Sequence, residues 1–172
     1  EWTLYIYNSA GSSGSLSAWS LILTHDNSTP KDPPDASGTT YTGDSFSIGG
    51  TSVSSKKLDI TDTGTITDIN VKMSGRHDSN LNYLDISLIS PYGTIVKLVG
   101  KSMGGSAFDQ TTLDDEASTT IANGSAPYIG SFKPSEALSG FDQEAMKGEW
   151  TLYIYNSSGN TGSLSAWSLI ID

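Results

Sequence analysis

From residue 45 to the end of the chain, apolar and polar residues alternate with a period of two. Ile69, Val71 and Met73 are separated by Asn70 and Lys72, and Leu84, Ile86 and Leu88 by Asp85 and Ser87. Trp150, Leu152 and Ile154 are separated by Thr151 and Tyr153. In an extended chain successive side chains point to opposite faces, so each run predicts a strand with one face buried. Gly49-Gly50, Ser90-Pro91-Tyr92-Gly93, Gly104-Gly105, Gly159 and Gly162 fall between the runs. Pro presets φ and Gly accepts positive φ, so these are turn signals. The spacing predicts an all-β fold, an antiparallel jelly-roll-like β-sandwich of roughly eight or nine short strands. Trp150, Leu152, Ile154, Leu84, Ile86, Leu88, Ile69 and Val71 are its expected core. Only residues 134–146 leave room for helical turns, and Gly140 interrupts them.

One segment occurs twice. Residues 1–23 read EWTLYIYNSAGSSGSLSAWSLIL, and residues 149–171 differ from them only at Ala10/Ser158, Ser12/Asn160, Ser13/Thr161 and Leu23/Ile171. Only the ends repeat, so the pattern reads as part of a tandem array. On that reading residues 1–23 are expected to be the terminal strand pair of a preceding repeat, 24–44 a linker, and 45–172 one complete domain. The linker carries Pro30, Pro33, Pro34, Asp26, Asp32 and Asp35, a stiff and solvated composition in which no structured element is expected. Residues 1–23 are expected to form an additional N-terminal β-hairpin joined by a loop at 9–14. Residues 149–171 are expected to complete the domain in cis. The N-terminal hairpin then packs on an outer surface or a neighbouring chain, with strand exchange through 1–23 as the other route.

Composition narrows the function. The 172 residues fit a single domain large enough for its own core. Nine Lys and Arg against 19 Asp and Glu give a net charge of −10. Nucleic acid and anionic membranes call for a basic footprint, so neither is an expected partner. There is no Cys, which excludes disulfides and thiolate chemistry. No apolar run is long enough to span a bilayer as a helix. No signal-peptide pattern opens the chain, which starts in strand character at Glu1-Trp2-Thr3-Leu4.

Candidate chemistry is sparse. Of the two His residues, His25 lies in the linker and His77 between two strand runs. Gly50-Thr51-Ser52 has the composition of a serine nucleophile turn, but Val53-Ser54-Ser55-Lys56-Lys57 follows it in a turn-to-strand context. No Gly-x-Ser-x-Gly elbow and no His-Glu-x-x-His helix occurs, so no catalytic residue is expected. The acidic stretch Asp114-Asp115-Glu116, with Asp109 upstream, is the main chemical signal. Adjacent carboxylates repel unless a cation or hydrogen-bond donors compensate them, and Ca²⁺ takes oxygen ligands from irregular loops. Ca²⁺ is therefore the expected ion at Asp114, Asp115 and Glu116, with Asp78 and Asp85 near His77 as a second candidate pair. The alternative is that these carboxylates accept backbone N–H groups in turns.

Four stretches resemble a known family. They are Leu84-Asp85-Ile86-Ser87-Leu88-Ile89-Ser90-Pro91-Tyr92-Gly93-Thr94; Leu113-Asp114-Asp115-Glu116-Ala117; Leu138-Ser139-Gly140-Phe141; and the closing pair beginning Gly148-Glu149-Trp150-Thr151-Leu152 and Gly162-Ser163-Leu164. Together they resemble the P domain (Homo B domain) that follows the catalytic domain of kexin-like and furin-like subtilases. Where many members carry Asp-Leu at the opening of the central strand, this chain has Tyr83-Leu84. The resemblance implies a non-catalytic domain of a secreted subtilisin-like serine protease that aids its folding, stability or substrate choice. The tandem pattern implies an alternative, a repeat module of a large bacterial surface or adhesive protein with no protease activity. Expected partners are an upstream protease domain or neighbouring repeats, and the expected location is secreted or on the cell surface.

Overall fold

The computed structural model describes residues 38–172. The expected hairpin of residues 1–23 and residues 24–37 of the expected linker lie outside the described residues. Among the described residues, ten strands form two sheets. In the first, β1 (Thr39–Gly43) and β2 (Phe46–Ile48) lie end to end along one side of β10 (Gly162–Ile171). The order then continues through β4 (Ile69–His77), β7 (Ala107–Leu113) and β8 (Gly130–Phe132). The second sheet has the order β3 (Ser52–Ile60), β9 (Gly148–Asn156), β5 (Leu84–Ile89), β6 (Ile95–Val99). Three short 3-10 turns, Leu81–Tyr83, Ile121–Asn123 and Leu138–Phe141, punctuate the connections.

The alternation puts the expected residues inside. Leu84, Ile86 and Leu88 on β5 and Trp150, Leu152 and Ile154 on β9 are all buried, as are Ile69 and Val71 on β4. A one-residue slip would have turned each set outward, so the hydrophobic pattern fixes the register. Both tryptophans in the described range find acceptors. Trp150 Nε1 donates to the Met146 carbonyl at 2.9 Å and Trp167 Nε1 to the Asp44 carbonyl at 3.1 Å. Phe141 meets the Trp150 ring edge-on, centroids 5.1 Å apart. Gly43 has to be glycine, because a Cβ there would run into the Trp167 indole. In the turn 90–94, Gly93 takes φ of +88°, and its N–H closes on the Ser90 carbonyl at 3.0 Å.

Three features depart from the sequence expectations. First, β1 lies within the stretch expected to be linker. Thr39 to Gly43 pair antiparallel with Ile171 to Trp167, so this part of 24–44 is an edge strand of the domain. Thr-Thr-Tyr-Thr is β-prone, and the Pro and Asp residues that suggested a linker all precede it. Second, one strand pair is parallel: β8 runs alongside β7 from Thr111/Gly130 to Leu113/Phe132. The 16 residues between them are enough for the crossover that a parallel pair needs. Third, the period-two pattern breaks in β10, where Leu164 and Trp167 both face the core although they are three apart. A β-bulge at Ser165 shifts the register to β4 between Leu164 and Ala166 and absorbs the extra residue.

Asn156 is the polar anchor of this core. It is fully buried at the end of β9. Its Nδ2 donates to the carbonyls of Gly49 (2.9 Å) and Asn160 (2.7 Å), and its Oδ1 accepts the Ser158 N–H at 2.9 Å. The amide thus ties the β9–β10 loop to the turn before β3. Asn156→Ala, made together with Asn8→Ala so that neither copy of the repeated segment carries the amide, strands two carbonyls and one N–H, and should lower the free energy of unfolding by about 3 kcal/mol. Asn156→Asp with Asn8→Asp should cost more at neutral pH, because it presents a carboxylate to two carbonyl oxygens. Urea denaturation of the two variants beside the wild type checks both.

Candidate functional site

The Asp114-Asp115-Glu116 stretch leaves β7 and enters an irregular loop, and its carboxylates diverge. Asp115 reaches the 3-10 turn Leu138–Phe141. Its Oδ1 accepts the Leu138 N–H and its Oδ2 the Ser139 N–H, each at 2.9 Å. Those N–H groups open a helical turn and have no partner within it, so the carboxylate caps the turn that carries Leu138 and Phe141 into the core. Asp114 is only 2% exposed. Its Oδ1 accepts the Glu116 N–H at 2.6 Å, an Asx-type turn, and its own N–H donates to the Phe132 carbonyl at 2.9 Å. Burial pushes its carboxyl above the usual aspartate range. The Glu116 side chain and the Glu116 and Asp68 charges push the same way, against the lowering effect of the Glu116 N–H.

The second candidate pair is held by basic side chains. Asp78 accepts the Thr161 hydroxyl at 2.6 Å and pairs with Arg76 at 3.2 Å. Asp85 lies between Lys97 (3.7 Å) and Lys101 (3.8 Å). Asp78 and Asp85 therefore already face side-chain cations. Among the described residues, no three His, Asp or Glu side chains gather in an arrangement that could hold a metal. Of the residues singled out in the sequence, Asp114 and Glu116 are brought together, with the Asp68 charge acting on Asp114 from farther away. Asp115 points away to its helical turn, and Asp78 and Asp85 make separate ion pairs.

The histidine and serine do not form a catalytic pair. His77 is buried, and its Nδ1 accepts the N–H groups of Ser79 (3.2 Å) and Asn80 (3.0 Å). A serine-protease histidine has its Nδ1–H held by a carboxylate, whereas here that nitrogen is the acceptor. Ser52 opens β3 opposite Asn156. His77 thus shapes the turn after β4. Its signal in the sequence, a histidine followed by Asp-Ser-Asn, is that of a local acceptor for turn N–H groups.

The raised carboxyl of Asp114 sets a pH signature. The folded form keeps the proton to a higher pH than the unfolded chain does. Stability linked to the neutral carboxyl is therefore complete below the ordinary aspartate value, about 3.9. It is lost as pH rises through the raised folded value. Asp114→Asn keeps an acceptor for the Glu116 N–H and removes the charge. In chelator it should melt above the wild type at neutral pH, with the gap closing by about pH 4. Ca²⁺ held by Asp114 would reverse the order, raising the wild type and leaving the variant unmoved. Melting curves across pH, with and without millimolar Ca²⁺, read both effects.

No curated protein matches the chain. Among solved structures it is similar to the Aeromonas sobria serine protease in complex with its chaperone, at 18% identity and a TM-score of 0.45. It is also similar to the serine protease of Aeromonas sobria, at 16% identity and a TM-score of 0.44. Each match covers 77% of this chain and 27% of the other, so the chain spans about a quarter of those proteins. The family model of the proprotein convertase P-domain matches residues 66–171. That span runs from just before β4 to the end of β10 and takes in every stretch on which the resemblance rests. The chain therefore belongs to the proprotein convertase P-domain family.

Proposed function

We propose that this P domain is a non-catalytic accessory module of a secreted, subtilisin-like serine protease. The observation that carries the reading is the family match across β4 to β10. The geometry agrees with an accessory role. Asp115, Asp78, Asp85 and the His77 Nδ1 are spent on a cap, ion pairs and a turn, which serve the fold. An accessory domain of this kind acts through its surface, holding the catalytic domain folded or framing the substrate path. Ca²⁺ belongs to the same reading as an ion for Asp114 and Glu116, the two carboxylates of the acidic stretch that face each other.

The second reading is a repeat module of a bacterial surface or adhesive protein. The duplicated segment 1–23/149–171 favours it, because a tandem array repeats such an end once per unit.

The parent protein decides between them. If the first reading holds, deleting this domain from the whole protease should lower the yield of active enzyme or shorten its half-life at growth temperature. The isolated chain should hydrolyse neither peptide nor ester substrates, and Ser52→Ala should change nothing. A parent that lacks a catalytic Asp, His and Ser set favours the repeat-module reading. Turnover by the isolated chain that is abolished in Ser52→Ala would overturn both.

A further inference from the structure

The structure shows what the duplicated segment builds. Residues 149–171 supply β9, between β3 and β5 in one sheet, and β10, between β1/β2 and β4 in the other. Together they are the central strand pair on which both sheets close. Residues 1–23 carry the same side chains. The buried Trp150, Ile154, Asn156 and Trp167 recur as Trp2, Ile6, Asn8 and Trp19.

The four differences are all accommodated by the slot. Ser158 and Asn160 bond each other, the Ser158 Oγ accepting from Asn160 N at 3.0 Å and Nδ2 at 3.1 Å. Both change together, to Ala10 and Ser12, so the side-chain bond is removed whole, and the backbone N–H that also used the Ser158 Oγ belongs to residue 160, which is exposed and has water as its other acceptor. Thr161 becomes Ser13, which keeps the hydroxyl that donates to Asp78. Ile171 becomes Leu23, an apolar residue of equal carbon count. Three of the changes are to a smaller side chain, and Ile171 to Leu23 keeps the volume while moving the branch point, which a core takes up by local repacking.

The connection is also open. Thr39 pairs directly with Ile171, so the start of β1 lies beside the end of β10. Were residues 1–23 in the slot, residues 24–38 would join two neighbouring antiparallel strands. Adjacent strands are ~4.8 Å apart, and a chain of that length reaches up to ~50 Å. With residues 1–23 in the slot, residues 1–148 would supply every strand of the domain, in circularly permuted order.

We propose that the β9–β10 slot accepts residues 1–23 of the same chain as an alternative to residues 149–171. The choice is made during folding, because withdrawing two central strands from the finished sandwich would dissolve both sheets. Along a tandem array, each body would then close on either the segment that follows it or the one that precedes it.

The test uses the full chain, refolded from denaturant. Trp150→Ala with Trp167→Ala empties the two largest buried side chains of the C-terminal copy. This variant should still melt cooperatively, with residues 1–23 in the slot. Adding Trp2→Ala and Trp19→Ala should abolish the transition, while those two alone should leave the wild-type midpoint. If the first variant is as unfolded as the fourfold one, or if both melt cooperatively, the proposal fails. A second arm leaves every Trp in place and uses the absence of native Cys. Ser55 pairs with Tyr153, whose counterpart is Tyr5. Ser55→Cys with Tyr5→Cys, refolded under oxidising conditions, should give an intrachain disulfide in a fraction of molecules, with Ser55→Cys/Tyr153→Cys as positive control. Its absence where the control forms, or its appearance only between chains, overturns the proposal.

Discussion

Both sheets depend on one continuous segment. β9 and β10 are joined by five residues and pass from the middle of one sheet to the middle of the other. Every other strand except β6, β7 and β8 pairs directly with one of them. The largest buried side chains in the domain, Trp150 and Trp167, sit one on each. Each ring buries more apolar area than any aliphatic side chain around it, within a core made mostly of Ile, Leu and Val. The rest of the fold is arranged to close on those two rings: Phe141 from its 3-10 turn onto Trp150, the bare face of Gly43 against Trp167, and backbone carbonyls for both indole N–H groups.

Polar groups decide where the loops sit. Buried polar atoms are costly unless bonded, so a bonded one selects a single arrangement. Asn156 fixes the β9–β10 loop to the β2–β3 turn, His77 fixes the turn after β4, and Asp115 fixes the 3-10 turn that delivers Phe141. Asp114 is the exception. It makes a good turn but is held near two other carboxylates, so burial and like charge raise its affinity for a proton. A low-charge sandwich rich in Gly, Ser and Thr has few ion pairs to order its connections, and these side-chain-to-backbone bonds take their place.

The strands with strict alternation were legible because the physical period equals the sequence period. β5 and β9 are read directly from Leu84-x-Ile86-x-Leu88 and Trp150-x-Leu152-x-Ile154. β10 was legible only in part, since a bulge restores core facing after an apparent phase error. β1 was hidden because an edge strand gives up half its pairing and its apolar pattern weakens accordingly. The acidic stretch shows a different limit. Three carboxylates in a row read as one cluster, yet Asp115 caps a turn 23 residues away while Asp114 turns back on Glu116. Composition signals that the charges must be compensated. Which donors do it depends on contacts far along the chain.

A sandwich has to keep its edges from pairing with those of other molecules, because unpaired edge N–H and C=O groups template further strands. Each edge here is blunted in its own way. β3 is long, but it carries Lys56 and Lys57 in its middle. β8 has three residues and follows a long connection that contains Pro127. β6 is five residues long and flanked by the Ser90-Pro91 turn. On the remaining side two short strands, β1 and β2, are set end to end with Asp44 and Ser45 between them, so that edge is interrupted by a charge. Sequestered edges leave side chains, and not backbone, as the means of contact with other domains. A module that meets its neighbours through side chains can be appended, repeated or re-paired without its sheets growing into theirs.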